Sequence, residues 1–275
     1  MKSMKSKTAT AFAALAMALP LAAYATPNDQ ATELFENAKK SFEEQRQDLK
    51  TVDQVQTELA QAEALATDTE LKYQIKILIS RAYFWQGTNV PGNEENNPAK
   101  LPVFEKGYNK AREAYTLSGD YADAYYYYAI NLSRWGLAKG KLSALGRLTE
   151  LKNHLNLAMQ RPTYYTGEDG TTIDFWGPNR VYGRMYFALP GIVGGDMALS
   201  KQYLERAAKE APTHILNIVY LAETLADSRS TRSQAKLMLR DAIERYDANP
   251  AAFCPERIQE TSLEIRLARE LYGKL

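Results

Sequence analysis

Seven tyrosines fall between positions 108 and 128, and four of them, Tyr125 to Tyr128, are consecutive. A ring with a hydroxyl at its tip suits a surface that is alternately wet and covered, so the cluster points to binding rather than bond-making. Successive residues on a helix point about 100° apart, so four in a row cannot all face one core. If a helix begins near 122, Tyr125 and Tyr128 pack inward. Tyr126, with Asp123 and Ile130, then faces the open side. The competing reading is that tyrosine merely fills wide gaps between helices. Further on stand Trp176, then Arg180 and Arg184, four apart on one helical face. Two guanidinium groups at that spacing suit a ligand carboxylate, or pairing with surface acids. The candidate binding residues are Tyr126, Tyr127, Ile130, Trp135, Trp176, Arg180, Tyr182, Arg184 and Tyr186.

Signals for catalysis are sparse. His154 lies in a Leu-rich segment and His214 just after Pro212, neither with a second ligand at metal-binding spacing. Structural roles are expected for both. There is no nucleophile elbow, no zinc-protease motif and no phosphate loop. Glu168, Asp169 and Asp174 bring three carboxylates near Gly170 but lack the ordered spacing of a calcium loop. They are the weak case for a hydrolase or lyase. The Gly-rich run 191–195 before Asp196 is read as a loop followed by a helix N-cap. The chain is read as non-catalytic, with no cofactor and no metal.

The chain has 275 residues, 34 Lys and Arg against 33 Asp and Glu, and a formal charge of +1. That balance gives no case for nucleic-acid binding. With 45% apolar and 24% charged residues the chain is expected to fold. Lys2, Lys5 and Lys7, the apolar stretch Ala9 to Leu19, and Ala23-Tyr24-Ala25 follow the order of a secretory signal. Cleavage is expected after Ala25, leaving 26–275 as one domain in the periplasm. Losing three lysines leaves 31 basic against 33 acidic side chains, a formal charge of −2. Cys254 is the only thiol, so an exported fold must hold by packing, and a buried, inert Cys254 is expected. No Cys stands at the cleavage point, so a lipid anchor is not expected.

The elements that must position these groups are helices. Apolar residues recur at spacings of three and four from Leu34 onward. About eleven helices are predicted, near 30–47, from 51 through at least 62, 70–86, 102–117, 121–135, 142–159, 179–189, 197–210, 214–226, 231–246 and 256–271. Thr51 is expected to cap the second, with Gln54 completing a capping box. The polar loop 87–99 and the irregular stretch 161–177 interrupt the run. Ala235, Leu239 and Ala242 form a small-large-small pattern. Ser200, Leu204 and Ala207 show it 35 residues earlier, and Gly107, Ala111 and Ala114 show a weaker form. Small residues let two helices lie close, and the large one fills the gap between them. A period of about 34 residues with this pattern is the tetratricopeptide signature. The expected fold is all-α, a tetratricopeptide-like array of antiparallel helix pairs with a concave face.

Three segments carry a family resemblance. They are Trp135-Gly136 with the Leu/Lys-rich helix after it, Gly177-Pro178-Asn179-Arg180-Val181-Tyr182-Gly183 through Leu189-Pro190, and Gly194-Gly195-Asp196 with the repeat helices beyond. Over roughly 120–250 the chain resembles the TatT family, accessory proteins of tripartite ATP-independent periplasmic (TRAP) transporters. The resemblance implies homo-oligomerisation and association with the transporter's solute-binding protein. It also implies an apolar cleft that passes hydrophobic solutes or organic acids to that protein. The alternative is a tetratricopeptide adaptor in envelope assembly without a small-molecule ligand.

Overall fold

The structure, a computed structural model, describes residues 26–46, 48–140, 142–254 and 258–275. The expected signal segment and its cleavage point lie outside the described residues. Among the described residues eleven α-helices follow one another: α1 (Pro27–Gln45), α2 (Leu49–Leu65), α3 (Thr69–Asn89), α4 (Leu101–Leu117), α5 (Ala122–Lys139), α6 (Leu148–Met159), α7 (Ile173–Ala188), α8 (Met197–Glu210), α9 (Ile215–Ala226), α10 (Arg232–Ala248) and α11 (Ile258–Lys274). No strand occurs among the described residues; one isolated bridge joins Pro162 and Asp169. The all-α helix-pair array expected from the spacing is what forms.

Neighbours in sequence pack as neighbours in space, and a second pattern runs through them. α3 touches α5, α5 touches α7, α7 touches α9, and α9 touches α11. These five helices form an inner row, and α2, α4, α6, α8 and α10 back it. The small-large-small residues sit where the two rows meet. Ala235, Leu239 and Ala242 are fully buried, as are Ser200, Leu204 and Ala207, and Ala111 and Ala114 of the weaker match. Leu204 shows why size matters there. A Cβ on Gly183 would lie 2.4 Å from Leu204 Cγ, so Leu204 of α8 fills the hollow that Gly183 leaves on α7. The close approach at Gly183 is thus made by a side chain, that of Leu204.

α3 is apolar on nearly all sides because it packs on two. Leu71, Ile75, Leu78 and Ala82 join the core formed by α1 and α2. Tyr73 and Ile77 join Ala114 of α4 and Ala124 of α5. A helix covered on both sides cannot show a single apolar stripe.

Several boundaries differ from expectation, α1 starting at Pro27, α5 running to Lys139 and α7 starting at Ile173, and the starts of α2 and α6 differ as well. α2 starts at Leu49 and not Thr51, because the Asp48 carboxylate accepts from Lys50 N at 3.0 Å and caps it first. α6 starts at Leu148. The segment before it turns through a short 3₁₀ helix at Leu145–Arg147, and Leu142 is exposed. Asp196 caps α8 as expected, accepting from Ala198 N at 2.9 Å and Leu199 N at 3.0 Å. Its own carboxylate thus occupies those donors.

Candidate functional site

The concave side of the inner row lines a half-open cavity of about 1260 Å³. Its walls come from α3, α5, α7, α9 and α11, with the end of α1, the start of α6 and the segment leading into it, and the loops around 94–95, 163–172 and 211–213. α2, α4 and α10 contribute nothing to it. The inner row therefore carries most of the site, and of the backing helices only α6, through Leu148 and Leu151, and the end of α8, at Glu210, reach it.

Seven of the nine residues singled out by sequence line this cavity: Tyr126, Tyr127, Ile130, Trp135, Trp176, Arg180 and Arg184. Tyr126 is also buried, against Gly177. A Cβ on Gly177 would stand 2.2 Å from the Tyr126 hydroxyl. Tyr125 and Tyr128 turn away as the helical spacing requires. Tyr125 stacks on Tyr115 at 5.0 Å, and Tyr128 stacks on His154 at 4.0 Å.

Tyr182 and Tyr186 do not belong to the cavity. Tyr182 is buried on the other side of α7, where its hydroxyl donates to Asn156 Oδ1 at 2.7 Å and Lys152 O at 3.0 Å. Tyr182, Tyr186 and Tyr203 stack together there. The reason is geometric. Two helical steps rotate a side chain about 200°, so 182 and 186 must face away from 180 and 184.

Arg180 and Arg184 share a face but not a role. Arg180 is buried, and its guanidinium is fully engaged. Nη1 donates to Asn217 Oδ1 at 2.9 Å and to the carbonyls of Asp174 (3.2 Å) and Phe175 (3.5 Å). Nη2 meets the Asp174 carboxylate and, at 3.4 Å, the Tyr126 hydroxyl. The Asp174 carboxylate also accepts from the Tyr126 hydroxyl at 2.5 Å. Arg180 is thus a structural hub and not a free anion receptor. Arg184 is one-third exposed, donates to Glu223 Oε2 at 2.6 Å, and lies over the Tyr220 ring at 4.2 Å.

The hub holds an unusual backbone. Asp174, Phe175 and Trp176 all adopt left-handed angles, with φ of 50°, 55° and 64°. Left-handed residues other than glycine cost about 1–3 kcal/mol each and persist only when their surroundings impose them. The regular part of α7 begins after this turn. Pro178 therefore stands in a first helical turn, where its missing N–H costs nothing.

Other cations in the wall repeat one arrangement, a carboxylate beside and a ring beneath. Arg81 pairs with Glu43 at 3.0 Å and lies over Phe42 and Tyr127. Arg134 pairs with Glu94 at 2.6 Å and lies over Phe84. Arg147 pairs with Glu150 at 2.7 Å and lies over Trp135. Each of these arginines is paired, but the wall holds six arginines against ten Asp and Glu side chains, while the rings and Ile130, Leu148, Leu151, Ile173 and Met185 supply apolar area. Such a space suits a molecule that is mostly apolar with a polar end. Asp123 also lines the wall. Burial pushes its carboxyl above the usual range, against a bond from Tyr164 N at 2.7 Å.

The three carboxylates of the 161–177 stretch do not act together. Glu168 and Asp169 are exposed, and Asp169 Oδ1 accepts from Thr171 N in a turn. Asp174 is tied to Arg180. Among the described residues no three His, Cys, Asp or Glu side chains form a metal-binding group. His154 packs on Tyr128, and His214 is buried beside Phe175, with Nδ1 3.8 Å from the Glu264 carboxylate. Cys254 is buried beside Thr213.

Sequence reasoning passed over residues distant along the chain: Phe42, Arg46, Arg81, Tyr220, Glu260 and Leu263, all in the wall. Arg81 carried one usable signal, a guanidinium in the mostly apolar run from Ile77 to Trp85. No known family model matches the chain, and no curated protein matches it.

Proposed function

We propose that this chain is a non-catalytic periplasmic helical-repeat binding protein, accessory to a TRAP-type uptake system in the manner of the TatT family. It holds a small hydrophobic ligand or organic acid in the cavity and docks on the system's solute-binding protein. The cavity is the observation that carries the ligand-binding part. Its volume of about 1260 Å³ exceeds the ~300–1,000 Å³ usual for small-molecule sites. Its wall combines aromatic rings with arginines already paired to acids. An adaptor that only joins proteins needs no such space, so the ligand-free reading is the weaker one.

Export is supported by the order of charge, apolar stretch and small residues before Thr26. The transporter link is supported by the three segments between 135 and 196. The test is affinity capture from an envelope extract of a host that makes a TRAP system, followed by mass spectrometry. The expected result is enrichment of the solute-binding protein. Its consistent absence contradicts the transporter link.

A further inference from the structure

Asp174, Phe175 and Trp176 form a turn of left-handed backbone, and none of them is a glycine. Asp tolerates that hand, but nothing local in Phe175 or Trp176 favours it, because a Cβ crowds the carbonyl there. The turn must be held from outside, and its carbonyls show by what. Asn217 of α9 donates from Nδ2 to Phe175 O at 3.1 Å and to Ala207 O, on α8, at 3.1 Å. Its Oδ1 accepts from Arg180 Nη1 at 2.9 Å, and that same nitrogen reaches the carbonyls of Asp174 and Phe175. Asn217 is fully buried and uses its whole amide. It is outside the cavity wall, whereas all three residues of the turn are in it.

We propose that Asn217 is a positioning residue that determines what the cavity accepts. With Arg180 it holds the carbonyls of the left-handed turn, and so keeps Phe175 and Trp176 as one wall of the cavity. Without the amide, Phe175 O loses a buried donor and Arg180 loses the acceptor that aims it. The turn then relaxes toward right-handed angles, and the two rings leave the wall. The inference rests on the cavity being a ligand site.

The experiment uses the full chain labelled with 5-fluorotryptophan, whose three ¹⁹F resonances report Trp85, Trp135 and Trp176 separately. Trp176→Phe assigns the third. Asn217→Ala is compared with the native chain, and Asn217→Ser serves if the first does not fold. The ligand is 1-anilinonaphthalene-8-sulfonate, an apolar anion followed by its fluorescence. The expected result is a shift of the Trp176 resonance alone, with binding weakened about fivefold or more, the scale of one lost wall contact. Unchanged affinity, an unmoved Trp176 resonance, or equal movement of all three resonances in the folded variant overturns the inference. Failure of the cavity reading is distinguishable. In that case the native chain shows no saturable binding, or Trp176→Ala and Phe175→Ala leave it unchanged, and this inference falls with it.

Discussion

Arg46 and Glu260 stand 214 positions apart and are joined by two parallel bonds, Nε to Oε1 at 2.9 Å and Nη2 to Oε2 at 2.6 Å. Arg46 follows α1 and Glu260 lies in α11, so the pair ties the first helix to the last. Leu263, one turn further along α11, packs against the core of α1 to α3. The array thereby curls until its two ends meet across the cavity, whose lining includes both Arg46 and Glu260.

Breaking this tie should destabilise the fold measurably. Glu260→Ala leaves buried Arg46 with Glu43 as its remaining acid in contact, at 3.3 Å. Breaking a buried pair costs about 3–5 kcal/mol, and the surviving partner lowers that to roughly 2–3 kcal/mol. Urea unfolding measures it. A loss below about 0.5 kcal/mol, the scale of an exposed pair, means that this tie does not hold the two ends together.

The contact between Gly183 and Leu204 predicts a coupled response. Gly183→Ala places a methyl group where Leu204 lies, at a cost of about 1–3 kcal/mol from overpacking. Leu204→Ala costs about 2–5 kcal/mol by leaving a cavity. In the double variant the methyl occupies part of the vacated space. Its loss should be smaller than the two added together by about 1 kcal/mol or more. Simple additivity in denaturant unfolding contradicts the packing described.

The two arginines of α7 should respond differently to lysine. Arg180 uses a planar fork that an ammonium cannot reproduce, so Arg180→Lys should cost about 2 kcal/mol or more. Arg184 makes a partly exposed pair, and Arg184→Lys should cost under about 1 kcal/mol. Thermal unfolding of both variants checks this, and equal losses would remove the distinction drawn between them.

His154 gives the pH dependence a sign. Burial against Tyr128 lowers its basicity below the ordinary value of 6.5. The unfolded chain therefore takes up a proton first as the pH falls. Stability is present above pH 6.5 and declines below it, down to the lowered folded value. His154→Phe keeps a ring on Tyr128 and removes the titration. Stability measured from pH 7.5 to 5 should decline less steeply in the variant than in the native chain. Parallel slopes contradict the assignment.

Much of the framework was legible in the sequence because its causes are local. The burial of Ser200, Leu204 and Ala207 follows from their spacing on one helix. Tyr126 and Ile130, four apart, had to share a side, as did Arg180 and Arg184. The same rule separates Tyr182 and Tyr186 from those arginines, so that misassignment was avoidable. The left-handed turn was not legible, because Arg180 and Asn217 impose it only after α7 and α9 have met. The tie between Arg46 and Glu260 was equally hidden. Its partners meet only once the whole row has curled, and neither lies in a motif.

The central claim is that the cavity takes an apolar ligand, and filling it tests that most directly. Ile130 lines the cavity and is 5% exposed. Equilibrium titration with 1-anilinonaphthalene-8-sulfonate compares the native chain with Ile130→Trp, each first shown to be folded. The account predicts saturable one-to-one binding by the native chain and affinity at least about tenfold weaker in the filled variant, a loss of ~1.4 kcal/mol. Non-saturable binding by the native chain, or equal affinity in both, would contradict it.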